Sequence, residues 1–202
     1  NVIFRYLRFR PGIPKDANGT PTSSFVTYGL DVENYENVIV DHCSISWANE
    51  ECLATYDTKN VTFQWNIVSE GLYSAYHPKG LRSYGGVWGG QYATYHHNLL
   101  ANQNNRTPRY NGSRAHDTLA LIEYSNNVNY NWGSSSAPYG GEVEILGGIS
   151  RVNILNNYYK PGPATPSTLK IVRPDYTSVN GVGRWHVEGN IVDGNAQRTA
   201  DN

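Results

Sequence analysis

Val61-Thr62-Phe63-Gln64-Trp65-Asn66 is the stretch whose reading decides the fold. An apolar residue opens it, apolar and polar side chains alternate with the period-two rhythm of a strand, and an asparagine closes it. The same frame returns as Ala93 to Asn98, Ile122 to Asn127, Val152 to Asn157 and Trp185 to Asn190. Val2 to Leu7 and Val38 to Cys43 follow it without the asparagine. The intervals are unequal, as expected for a fixed strand core joined by variable loops. Repeats of this kind build a β-solenoid, in which each coil's strands pair with the same strands one coil up and down. The alternation then sends one set of side chains into a shared core. An asparagine at constant phase suits a turn, because Asn tolerates left-handed backbone and stacked amides can bond from coil to coil. A β-sandwich also explains short strands with turn signals, but not one asparagine at one phase in five repeats. The expected fold class is all-β: a solenoid forming a single domain over residues 1–202. Segments 10–30, 69–91, 102–118, 132–141 and 160–182 are its loops, gathered on one face where binding sites are built.

Bulk properties agree. The chain has 202 residues, enough for one domain with a real core. Sixteen basic and 17 acidic residues leave a net charge of -1, which argues against a nucleic-acid partner. No apolar run approaches the roughly 18 residues of a membrane helix, so no membrane partner is expected. The absence of Met and the abundance of Asn, Gly, Tyr, Ser, Thr and Val mark a β- and turn-rich chain. Cys43 and Cys52 lack metal-ligand spacing and read first as two buried thiols, with a disulfide as the alternative. The chain opens on a strand, Val2 to Phe9, with no initiator methionine, and is expected to be a piece of a longer protein.

The clearest chemical feature is Arg106-Thr107-Pro108-Arg109, which follows the strand His96-His97-Asn98-Leu99-Leu100. Two arginines on a proline-stiffened turn can grip carboxylates through their planar forks, or can be ordinary solvated side chains. Tyr76, Tyr84, Trp88 and Tyr110 lie in adjoining segments and could stack on sugar rings or serve packing; Trp47, Trp65, Trp132 and Trp185 read as structural.

Several motifs in this order resemble the pectate lyases of polysaccharide lyase family 1. They are Asn37-Val38-Ile39-Val40-Asp41-His42-Cys43-Ser44-Ile45-Ser46-Trp47, His77-Pro78-Lys79-Gly80, Gly85-Gly86-Val87-Trp88-Gly89-Gly90 and His96-His97-Asn98 with Arg106-Thr107-Pro108-Arg109. The opening Arg5-Tyr6-Leu7-Arg8-Phe9-Arg10-Pro11-Gly12 fits as well, and the resemblance runs to about residue 160. It implies a right-handed parallel β-helix, further N-terminal coils beyond this chain, and cleavage of polygalacturonate or pectin by β-elimination with calcium. It also implies an exported protein, secreted, periplasmic or at the cell surface; a monomer is expected.

By position, Arg106 matches the family's catalytic arginine, taken as the base at C5. Lys79 matches the lysine that holds a substrate carboxylate and is assigned with Arg106 to catalysis. His77 and Arg109 fall among the substrate-binding positions. A further substrate arginine would fall on Asn111, and Arg114 is expected to replace it. A guanidinium is almost always charged, so Arg106 serves as a base only if nearby cations disfavour its protonated form. Otherwise it stabilises charge, and His96 or His97 is a candidate base on pKa grounds, although both read first as strand residues facing the core. The calcium ligands implied are Asp41 and Glu50, while a third ligand position falls on Ala54, which has no donor. Glu51, Asp57 and Asp31 read as solvated charges. Asp41, Gln64 and His96 share one phase of the repeat and are expected to line one face near the Arg106 loop. Two rivals remain: a polygalacturonase-type hydrolase, which needs paired carboxylates, and a non-catalytic glycan-binding solenoid.

Overall fold

The computed structural model describes residues 1–134, 136–177 and 181–202. It is a right-handed parallel β-helix with three long parallel sheets. The first sheet stacks Val2–Arg5, Glu36–Asp41, Lys59–Gln64, Gln91–His96, Leu119–Ser125, Ile149–Leu155 and Arg184–Glu188. The second stacks Arg8–Phe9, Ser44–Ser46, Ile67–Ser69, Leu99–Ala101, Val128–Tyr130, Tyr158–Lys160 and Ile191–Val192. The third stacks Leu30–Glu33, Leu53–Tyr56, Val87–Trp88, Arg109–Tyr110, Tyr139–Gly140 and Arg173–Pro174. A small antiparallel pair, Tyr176–Thr177 with Gly181–Val182, and a short helix, Ala196–Ala200, complete the described elements. No helix among the described residues is long and apolar enough to cross a membrane.

The repeat sets the register. Val2, Val38, Val61, Ala93, Ile122, Val152 and Trp185, the opening residues of the seven frames, are direct neighbours across the first sheet. Inward positions fill the core with Val40, Phe63, Tyr95, Tyr124 and Ile154, all fully buried. Trp88 packs across Phe63, Tyr95 and Tyr124, and its indole N–H donates to the Leu53 carbonyl at 2.8 Å. Cys43 and Cys52 are free, buried thiols in this core.

The asparagines do what their phase promised, with one difference. Each is buried and bonds the next coil: the Nδ2 of Asn66 donates to Asn98 Oδ1 at 3.0 Å, Asn98 to Asn127 at 3.0 Å, Asn127 to Asn157 at 3.1 Å and Asn157 to Asn190 at 2.9 Å. The same oxygens accept backbone N–H groups, and each Nδ2 also reaches a carbonyl of the preceding coil, as Asn98 does to Phe63 at 2.9 Å. Asn202 extends the ladder, accepting from Asn190. The left-handed residue, however, is the one before the asparagine: Trp65, His97, Asn126 and Asn156 have φ between 54 and 57°, and His42, before Cys43 in the frame that lacks the asparagine, has φ 51°. Turning the backbone at that residue leaves the asparagine free to point inward. Outside, these residues stack, Trp65 lying 4.4 Å from His97 and 6.0 Å from His42 between ring centroids. That explains why Trp65 is structural although half exposed.

The long segments 10–29, 70–86 and 102–108 all run from the second sheet to the third, and 111–118 runs from the third to the first. They therefore border the outer face of the third sheet.

Candidate active site

Four cationic side chains from four successive parts of the chain's loops and third sheet meet on that face. Lys79 comes from 70–86, Arg106 from 102–108, Arg109 from the strand Arg109–Tyr110 and Arg114 from 111–118. They line a groove of about 520 Å³, shared with Asp31, Glu33, Glu50, Glu51, Tyr28 and Asn111. The glycine motif makes this possible by packing. A Cβ at Gly86 would lie 1.7 Å from the Leu53 carbonyl oxygen, and one at Gly85 2.4 Å from that of Arg106. Only glycine lets the 70–86 segment pass so close beneath the arginine turn.

Arg106 is the most constrained of the four. Its backbone is left-handed, φ 55°, and its N–H donates to Asn105 Oδ1 at 2.7 Å. Its guanidinium forms an ion pair with Glu51, lies 4.0 Å from Glu50 and sits 4.4 Å over the Tyr84 ring. Burial pulls its pKa below the ordinary arginine range; Tyr139 and Glu50 act against that, and Arg109 adds to it. Arg109 pairs with the buried carboxylate of Glu142. Arg114 lies 3.3 Å from Glu144 and 3.4 Å from Asn111 Oδ1. Lys79 is exposed on the groove rim.

His77 is placed differently from the substrate-binding position expected of it. It is buried, Nδ1 accepts the Lys79 N–H at 2.9 Å, and Nε2 faces Glu50. These contacts make it a brace for the Lys79 turn. Burial lowers its pKa, with Glu50 opposing. Arg82, which the sequence reading passed over, also faces Glu50 at 3.3 Å and donates to the Tyr84 hydroxyl at 2.8 Å.

Asp41 does not reach the groove. It sits on the first sheet, buried, with Arg5 Nε at 2.5 Å, His42 Nδ1 at 2.6 Å and Gln64 Nε2 at 3.0 Å. The expected row of Asp41, Gln64 and His96 exists in register, but on this other sheet, and none of its members lines the groove. His96 and His97 therefore stand away from Arg106 as well. Trp88 and Tyr110 are fully buried in the core and cannot stack on a sugar. Tyr84 holds arginines instead, and Tyr76, although exposed, does not line the groove.

The residues that sequence reading missed are partners. Glu51, which reads in the sequence as a solvated charge, is 4 % exposed and pairs with Arg106. Tyr139 and Glu142 come from the next coil, where Arg109 is the register neighbour of Tyr139. Nothing local to Arg109 announces them, although the repeat phase could have found the Tyr139 coil.

No protein-family model matches the chain. Curated relatives do. It is 30 % identical over 206 residues to a "Probable pectate lyase C" of Aspergillus flavus, covering 98 % of this chain and 40 % of the relative. A "Probable pectate lyase C" of Neosartorya fischeri is 29 % identical over 200 residues, 96 % of this chain and 39 % of its own length. The "Pectate lyase 1" of Pectobacterium atrosepticum is 29 % identical over 132 residues, 57 % of this chain and 31 % of that protein. These matches support a pectate lyase family assignment for the chain. It spans about two fifths of the length of the fungal pectate lyases it matches.

Calcium, the cofactor that the resemblance implies, is tested by the donors present. Asp41 and Glu50, the ligands implied by the resemblance, lie on separate faces and cannot share one ion. Glu50 is already engaged by His77 and Arg82, Glu51 by Arg106, and Ala54 offers no oxygen. Among the described residues no three His, Cys, Asp or Glu side chains form a metal-holding group. Calcium takes about six to eight oxygens, usually with several carboxylates. The donor set does not fit it.

Proposed function

We propose that this groove cleaves polygalacturonate by β-elimination and releases unsaturated oligogalacturonides, as in polysaccharide lyase family 1. The observation that carries the reading is the convergence of Lys79, Arg106, Arg109 and Arg114 from separate segments into one groove. A uronate chain presents one carboxylate per sugar, and planar guanidinium forks match that group. Arg106 acts at C5. Its neutral form takes the C5 proton, and the C–H electron pair becomes the C4–C5 double bond. The C4–O bond breaks, its electrons stay on the glycosidic oxygen, and water supplies that oxygen's proton. Negative charge builds on the carboxylate next to C5, where Lys79 and Arg109 stabilise it. Burial and the neighbouring Arg109 favour the neutral guanidine. Glu51 orients the side chain. The substrate is an extracellular polymer, so action outside the cell follows from this reading, and a monomer suffices because one chain supplies the whole groove.

The test is the ultraviolet absorbance of the new alkene conjugated to the carboxylate, followed with polygalacturonate. Arg106→Ala is expected to cost about a thousandfold in rate, the scale of losing one transition-state charge partner. Asp31 and Glu33 favour a second reading, hydrolysis. They lie two residues apart on one strand, and desolvation with the charge of Glu33 lifts Asp31 to about 6, as a glycosidase acid requires. New reducing ends without the absorbance would identify that chemistry. Binding with neither signal would identify a glycan-binding solenoid.

A further inference from the structure

This inference rests on the elimination reading and concerns how the groove handles charge. Removing a proton beside a carboxylate puts a second negative charge where one already stands, so something cationic must lie there. Two devices are available to a protein: a bound divalent ion or its own side chains. The carboxylates that would hold an ion are accounted for one by one. Asp41 is on the first sheet with Arg5, His42 and Gln64. Glu50 and Glu51 are almost fully buried, and a metal could recruit them only by taking them from His77, Arg82 and Arg106. Stripping a partner from a buried charge is among the costliest changes a site can undergo. Asp31 and Glu33 remain, two carboxylates on one strand, and the register neighbour of Asp31 is Ala54. That is fewer donors than calcium takes.

The same groove is well supplied with built-in cations. Arg109 has five N–H donors and Glu142 engages it through one nitrogen. Arg114 borders the groove beside Asn111, and Lys79 stands exposed at the rim on a turn braced by His77. The Glu50–His77 contact fixes the turn that presents Lys79, so the residue in the metal-ligand position now serves a cation of the protein. We propose that the groove neutralises the substrate carboxylates with Lys79, Arg109 and Arg114, and that its elimination proceeds without calcium.

The experiment uses the chain with a soluble oligogalacturonate in three arms: chelator, no addition, and added calcium. The initial rate of alkene absorbance is expected to agree within about twofold across the arms, and Lys79→Met to lower it about tenfold or more in every arm. A chelator-dependent loss of tenfold or more that calcium restores overturns the inference and leaves elimination standing. No alkene in any arm overturns elimination and the inference with it. A readout independent of turnover is the thermal midpoint of the protein titrated with calcium alone. It is expected to stay flat through the roughly millimolar range in which weak sites fill. A saturable rise overturns the inference.

Discussion

Arg106 carries two demands that pull against each other. Its ion pair with Glu51 keeps it charged and in place, while a base at C5 must be neutral. Burial, the largest influence on its pKa, works toward the neutral form. The rate of elimination is therefore expected to rise with pH into the alkaline range, below the ordinary pKa of arginine. Glu51→Gln removes the paired negative charge, lowers the Arg106 pKa and moves that rising limb toward neutral pH. A kcat/KM profile for both proteins checks this, and a limb that stays put would mean that Arg106 acts only as a cation. Arg106→Lys separates charge from shape: it keeps a partner for Glu51, so the thermal midpoint should hold, while activity falls with the loss of the planar fork.

The asparagine ladder ties five successive coils to one another. Asn98 illustrates the cost of losing one. Its amide bonds Asn127 and the Phe63 carbonyl, and its oxygen accepts from Asn66 twice. Asn98→Ala strands several of these buried groups at once, at about 1–3 kcal/mol for each one left unpaired. We expect a loss of about 3 kcal/mol or more, read as a lower denaturant midpoint with the slope unchanged. This element was legible in the sequence because a buried amide that must repeat every coil leaves a residue-specific mark. Its rungs lie 32, 29, 30 and 33 residues apart from Asn66 to Asn190, so spacing alone would have hidden it. The left-handed residue before it was not legible, because Trp, His and Asn all occupy that place.

The whole molecule keeps a second acidic tension away from the groove. Asp117 is fully buried near Asp57, and burial, followed by the Asp57 charge, raises its pKa to about 6. The folded state then binds more protons than the unfolded chain between about pH 4 and 6. Stability falls as pH rises through that window, and the penalty persists above it. Asp117→Asn is expected to raise stability by about 2 kcal/mol at pH 7 and to make little difference near pH 4. Melting curves at the two pH values check the sign. The sequence by itself determined the coil: period-two strands, the buried asparagine and the alignment of Val2 through Trp185 follow from local chemistry that every turn must repeat. It also carried Lys79, Arg106 and Arg109, which stand in His77-Pro78-Lys79-Gly80 and Arg106-Thr107-Pro108-Arg109, and pointed to Arg114 by its nearness to Asn111. Which charges meet was decided only in three dimensions. A β-helix brings together residues about thirty positions apart, and which of its three faces they share depends on loop length. That is why Asp41, only nine positions before Glu50 and in the same coil, pairs with Arg5 on the first sheet, while Glu51 closes on Arg106 across 55 residues.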